Sequence, residues 1–111
     1  MVLSRLEGLT DDELVIELKE IARKCRVEII KMVYRAQAGH PGGSMSEIDL
    51  IAALYATTLK VNPKEPEWAD RDRFILSKGH ASPGMYSILA EMGFIKHSDL
   101  ESYRALGGIC Q

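Results

Sequence analysis

Arg73-Phe74-Ile75-Leu76-Ser77-Lys78-Gly79-His80 is the stretch on which the fold class turns. Phe74, Ile75 and Leu76 make a short apolar run of the kind that fills an interior parallel strand. Lys78-Gly79-His80 follows at its carboxyl end, where open α/β sheets hold their ligands. Ser82 and Pro83 then provide an N-cap and a first-turn proline for a helix that stops at Gly93. A strand, a glycine turn and a helix in that order predict an α/β fold. The sequence is otherwise mostly helical, with one clear strand near 73–77.

Upstream, Gly39-His40-Pro41-Gly42-Gly43 repeats the Gly-His pair in a different setting, between two helical patterns. The first pattern opens at Thr10-Asp11-Asp12-Glu13, a capping box, and keeps helical spacing from Leu14 through Ile21, Cys25, Ile29 and Met32 to Ala36. Glu20 and Lys24 are spaced for an i,i+4 pair. Val27 and Ile30 fall outside the apolar stripe, so that half of the helix is expected to be covered on more than one side. Gly39 suits a left-handed C-cap, Pro41 blocks continuation, and Ser44 or Ser46 can cap a second helix from about Ser46 to Leu59. The apolar run Leu50–Ala56 predicts that this second helix is buried on every face. Ser98-Asp99-Leu100-Glu101 opens a short last helix to about Leu106.

The chain has 111 residues, enough for one modest core. A single interior-type strand cannot make a sheet, so the sequence reads as a piece of a larger α/β protein. The net charge of −2 gives no basic footprint, which argues against nucleic acid as a partner. The longest uncharged apolar run is far too short for a membrane span. The N-terminus has no signal-peptide core, so Cys25 and Cys110 read as reduced thiols of a cytoplasmic protein.

The two Gly-His loops carry the candidate chemistry. His80, beside Gly79 and ahead of a helix N-terminus, can donate to an anion such as a phosphate or can simply satisfy its own turn. His40 can stabilise a developing oxyanion or move a proton, or can be an ordinary loop residue. His97 lies in a polar segment and reads as exposed. A zinc site built from His40, His80 and a cysteine lacks metal-ligand spacing.

Taken together, Gly39-His40-Pro41-Gly42-Gly43-Ser44 and Trp68-Ala69-Asp70-Arg71-Asp72-Arg73-Phe74-Ile75-Leu76-Ser77-Lys78-Gly79-His80 resemble transketolase. The closest likeness is to the N-terminal subunit of the split, two-chain kind, and it runs from roughly Leu18 to Gln111. The resemblance implies that residues 1–111 are the N-terminal part of a thiamine-diphosphate-binding parallel-sheet domain. It implies an enzyme that moves a two-carbon ketol unit between sugar phosphates with thiamine diphosphate and Mg2+, as in the pentose phosphate pathway. By the same resemblance His40 is the catalytic histidine beside the thiazolium, and Gly79 and His80 bind the cofactor's diphosphate. The metal ligands would lie outside this chain, as would a further Gly-His-Pro and the pyrimidine-binding domain. The implied partner is a pyrimidine-domain subunit in a homo- or hetero-oligomer. The 111 residues alone would bind cofactor weakly or not at all and would not turn over. An alternative is a stand-alone, non-catalytic module that tunes a transketolase partner. Ala38 departs from the Ser, Asn or Gly usual at that position.

Overall fold

A computed structural model describes residues 3–111. Helix α1 spans Asp11–Ala36, α2 spans Pro41–Ala53 and α3 spans Ser82–Met92, and all three pack on one another. Short 3-10 turns occupy Ser4–Leu6, Gly79–Ala81 and His97–Ser102.

The start of α1 follows its sequence. Thr10 is the N-cap and its hydroxyl accepts from the Glu13 N–H at 3.3 Å, with Asp11, Asp12 and Glu13 in the positive first turn. The helix runs unbroken to Ala36. Its terminus is not Gly39: Gln37 takes the left-handed cap at φ +52°, and both its N–H and its side-chain amide reach the Tyr34 carbonyl. Glu20 pairs with Arg23, one residue short of the expected Lys24, at 2.7 Å; Lys24 faces Glu91 on α3 at 3.8 Å.

Helix α2 starts earlier than its serines suggest. Pro41 fills its first turn, where a missing N–H costs nothing, and His40 is the N-cap, with no capping hydrogen bond from its side chain. Ser44 and Ser46 therefore lie inside the helix. Leu54–Thr58 continues it as one wide turn, closed by the Leu59 N–H on the Leu54 carbonyl at 2.8 Å. Burial on every face is not met either, since Leu50 is 64% exposed while Ile51 and Ala52 are buried.

The α/β expectation is overturned. Among the described residues there is no strand and no sheet, and the architecture is all-helical. The 73–77 segment has no partner chain segment to complete a ladder, and a lone strand has nothing to satisfy its backbone. Its burial still alternates: Phe74 and Leu76 pack on the core while Ile75 is 84% exposed. Periodicity in this stretch reported which side chains turn inward, not pairing.

The main core joins Ile21, Cys25 and Ile29 of α1 to Ile48, Ile51 and Tyr55 and to Ile88 and Met92 of α3. A second cluster sets Met32 and Ala90 against Leu100, Tyr103 and Cys110. The last helix shrinks to the 3-10 turn at His97–Ser102, held by the Lys96 N–H on the Asp99 carboxylate at 2.9 Å. The first cluster packs α2 and α3 on α1, and the second docks the C-terminal residues on α1 and α3.

Candidate functional site

Two loops that are forty residues apart in sequence meet at one end of the helix layer. His40 stands at the N-terminus of α2, and His80 lies in the 3-10 turn that leads into α3. Their ring centroids are 5.2 Å apart with the planes at 62°, an edge-to-face pair, and both residues are exposed. The structure therefore brings together the two histidines singled out in the sequence. His97 is not part of the pair and lies 3.8 Å from Glu91 instead.

The approach of the loops is set one turn behind each histidine. Ser44, fully buried in α2, accepts at 3.0 Å from the N–H of Gly84, which lies in the first turn of α3. That N–H has no partner within its own helix, so one helix caps the other in trans. A Cβ at Gly84 would sit 3.3 Å from the Ser44 Cβ, tighter than ordinary contact, and the missing side chain admits the close crossing. Serine at 44 reads in sequence as a local cap; its actual donor is forty residues away.

Around the histidines the surface is uncrowded and carries one ion pair, Lys78 with Glu47. A Cβ placed on Gly42 or Gly79 would meet nothing within 4 Å, so both turns stand in open space, with the Gly79 N–H already donating to the Ser77 carbonyl at 3.1 Å. Lys78 lies across the start of α2, its Nζ 3.4 Å from the Gly43 carbonyl and 3.5 Å from Glu47 Oε2. The other oxygen of Glu47, Oε1, is buried without a hydrogen-bond partner. Lys78 and Glu47 escaped the sequence reading. The signal for Lys78 was its place directly before Gly79-His80; Glu47 showed only as an acid in an apolar helix.

Gly39 has a different task. Its φ of +113° excludes most side chains, and a Cβ would fall 2.8 Å from the Tyr103 hydroxyl. Tyr103 thus lies against the loop that carries His40.

With the first-turn N–H groups of α2, two imidazoles and one ammonium, the site suits an anion carrying several oxygens. The thiols take no part in such chemistry. Burial pushes the Cys25 thiol up to about 11, against a weaker opposing hydrogen bond with Ser87, and burial also raises Cys110. Among the described residues no group of three or more His, Cys, Asp or Glu side chains is placed to hold a metal ion. Nor is any helix among them long and apolar enough to cross a membrane.

Residues 17–111 match a family model described as transketolase, thiamine diphosphate binding domain. The chain is 42% identical over 89 residues to "Transketolase 1" of Escherichia coli (strain K12), covering 79% of this chain and 13% of that protein. It is 36% identical over 106 residues to "Transketolase-like protein 2" of Mus musculus, covering 96% of this chain and 17% of that one. A third relative, the transketolase of Treponema pallidum (strain Nichols), is 38% identical over 94 residues, covering 84% of this chain and 14% of the relative. The chain thus spans less than a fifth of the length of these relatives.

Proposed function

Because this chain belongs to the transketolase family, matching its thiamine-diphosphate-binding domain, we propose that it supplies the histidine-bearing part of a thiamine-diphosphate site. The whole enzyme would transfer a two-carbon ketol unit between sugar phosphates. The observation that carries the reading is the 5.2 Å pairing of His40 with His80 beside the open N-terminus of α2.

The residues fit the group. His80 and the sterically open turn at Gly79 bind the diphosphate, with the first turn of α2 directing its free N–H groups to the same place. Lys78 adds a positive charge within reach, and Glu47 holds the ammonium over Gly43. His40, free of any capping bond, donates to a substrate oxygen or passes a proton at its ring nitrogen. When bound, thiamine diphosphate supplies the stabilised carbanion that C–C cleavage requires. Pro41 holds the backbone next to His40, so the imidazole is positioned before ligand arrives.

Magnesium would accompany the diphosphate with its protein ligands outside these 111 residues. The remaining residues of the cofactor site, including those of a pyrimidine-domain subunit, would come from elsewhere in an oligomer, so the chain alone would bind weakly and not turn over. Residues 1–111 are then the N-terminal part of the cofactor domain. A cytoplasmic setting belongs to the same reading.

Thermal unfolding with and without millimolar thiamine diphosphate and magnesium tests this proposal. A ligand that binds only the folded form raises the midpoint by mass action. The expected result is a small rise that thiamine without its diphosphate does not produce and that His80→Ala abolishes. An equal rise in wild type and His80→Ala would overturn the assignment.

A further inference from the structure

Glu47 carries a charge that the chemistry of the site does not require. It lies in the second turn of α2 with its side chain 19% exposed. Its Oε1 is buried without a hydrogen-bond partner among the described residues, an arrangement that costs free energy. The other oxygen, Oε2, meets Lys78 Nζ at 3.5 Å, well beyond the about 2.7–2.9 Å of a strong charged hydrogen bond.

Lys78 is itself in an unfavourable place. Its stem crosses Gly43, where a Cβ would meet Lys78 Cε at 3.5 Å, and its ammonium lies over the first turn of α2. That end of a helix is partially positive and repels a cation. The Gly43 carbonyl offers little to hold it, since the contact is 3.4 Å and the same oxygen accepts from the Ser46 hydroxyl at 3.0 Å. Glu47 is the one full negative charge in the contact. The two partners differ in freedom. Glu47 is fixed on a helix and mostly buried, whereas Lys78 is 51% exposed on a flexible four-carbon stem. When the pair separates, the lysine is the partner that moves.

We propose that Glu47 is a positioning residue that stands in for the anion: its carboxylate parks Lys78 over α2, and an incoming diphosphate takes the ammonium over. Glu47 never touches the ligand and acts through Lys78 alone. The anion has to win the ammonium from Glu47 and leaves a mostly buried carboxylate without its counter-charge. The pair therefore lowers the affinity of the site for diphosphate and eases its release. The proposal rests on the cofactor reading above, in which these loops take a diphosphate.

Titration of this chain with inorganic pyrophosphate tests it, followed by NMR of the histidine rings and of the Glu47 side-chain carboxyl carbon. Glu47→Gln keeps the shape and removes the charge, and it should bind pyrophosphate about threefold to tenfold more tightly at low salt, with a smaller gain at high salt. Lys78→Met should bind it more weakly. Both variants should keep the wild-type circular dichroism spectrum. In wild type the Glu47 carboxyl signal should move along the same curve as the rings of His40 and His80. In Lys78→Met it should stay in place, a difference that a merely structural carboxylate would not produce. A Glu47→Gln chain that binds no more tightly than wild type overturns the proposal. So does a Glu47 signal that stays still in wild type while the histidine rings respond, a measurement that needs no variant. Either result leaves the cofactor reading standing. Rings of His40 and His80 that ignore pyrophosphate in wild type and in both variants overturn the two together.

Discussion

Replacing Ser44 by alanine tests how the two histidine loops are held together. Ser44 Oγ is the acceptor for the Gly84 N–H at 3.0 Å, and both residues are buried. Without the oxygen that N–H is left dry and unpaired, at a cost of about 1–3 kcal/mol. Alanine is the better helix former inside α2, which returns up to about 0.5 kcal/mol. The net loss should be about 1.5 kcal/mol, a fall of roughly 6 °C in Tm for a chain of this size. Urea unfolding should show a lower midpoint with the slope unchanged. Ser46→Ala is the control: its exposed hydroxyl donates to the Gly43 carbonyl at 3.0 Å, and its loss should stay within about 0.5 kcal/mol. In Ser44→Ala, Gly84 should also lose hydrogen-exchange protection before the rest of α3. A Ser44→Ala chain as stable as wild type, with Gly84 still protected, would refute the trans-cap and its part in setting the histidine spacing.

Other outcomes follow from single contacts. Gly39→Ala should cost about 1–3 kcal/mol in thermal unfolding, because φ is +113° and the new Cβ would press on the Tyr103 hydroxyl. The Cys25 thiol, pushed up to about 11 by burial, should resist alkylation near neutral pH in the folded chain. Its folded value lies above its unfolded one, so the stability tied to it is complete below the unfolded value and is lost as pH rises towards 11, as alkaline denaturation curves of wild type and Cys25→Ala can compare. The Arg26 guanidinium bonded to Asp49 holds that carboxyl below its ordinary value. Its contribution should be present at neutral pH and lost as the pH falls through the depressed value. Because the pair is largely exposed, Asp49→Asn should cost no more than about 1 kcal/mol in urea unfolding.

What the sequence revealed of this fold depended on range. Local signals held: Thr10 caps α1, Pro83 sits in the first turn of α3, and Gly93 ends it in the left-handed region. Errors arose where two local rules competed. Pro41 and the serines both qualify as helix starters, and the proline fills the first turn because its missing N–H costs nothing there. Gln37 took the left-handed cap ahead of Gly39, which serves the close approach to Tyr103. The strand near 73–77 failed for a non-local reason, since pairing needs a partner that no window of sequence contains.

The candidate site divides in the same way. His40, Gly79 and His80 were recognisable from their loops, and the likeness to transketolase rested on their order and spacing. Their meeting at 5.2 Å was not legible. It depends on Ser44 reaching Gly84 and on two glycine turns that leave the space open, and those are products of helix packing. Glu47 was hidden for the same reason, because its partner Lys78 lies in another loop.

The most direct test of the central claim is histidine-selective NMR on this chain as thiamine diphosphate and magnesium are raised to millimolar levels. The chain has three histidines, and His97, which faces Glu91, is an internal control. The ring signals of His40 and His80 should move together along one binding curve while those of His97 stay in place. Movement of His97 alone, or rings of His40 and His80 that never respond, would contradict it.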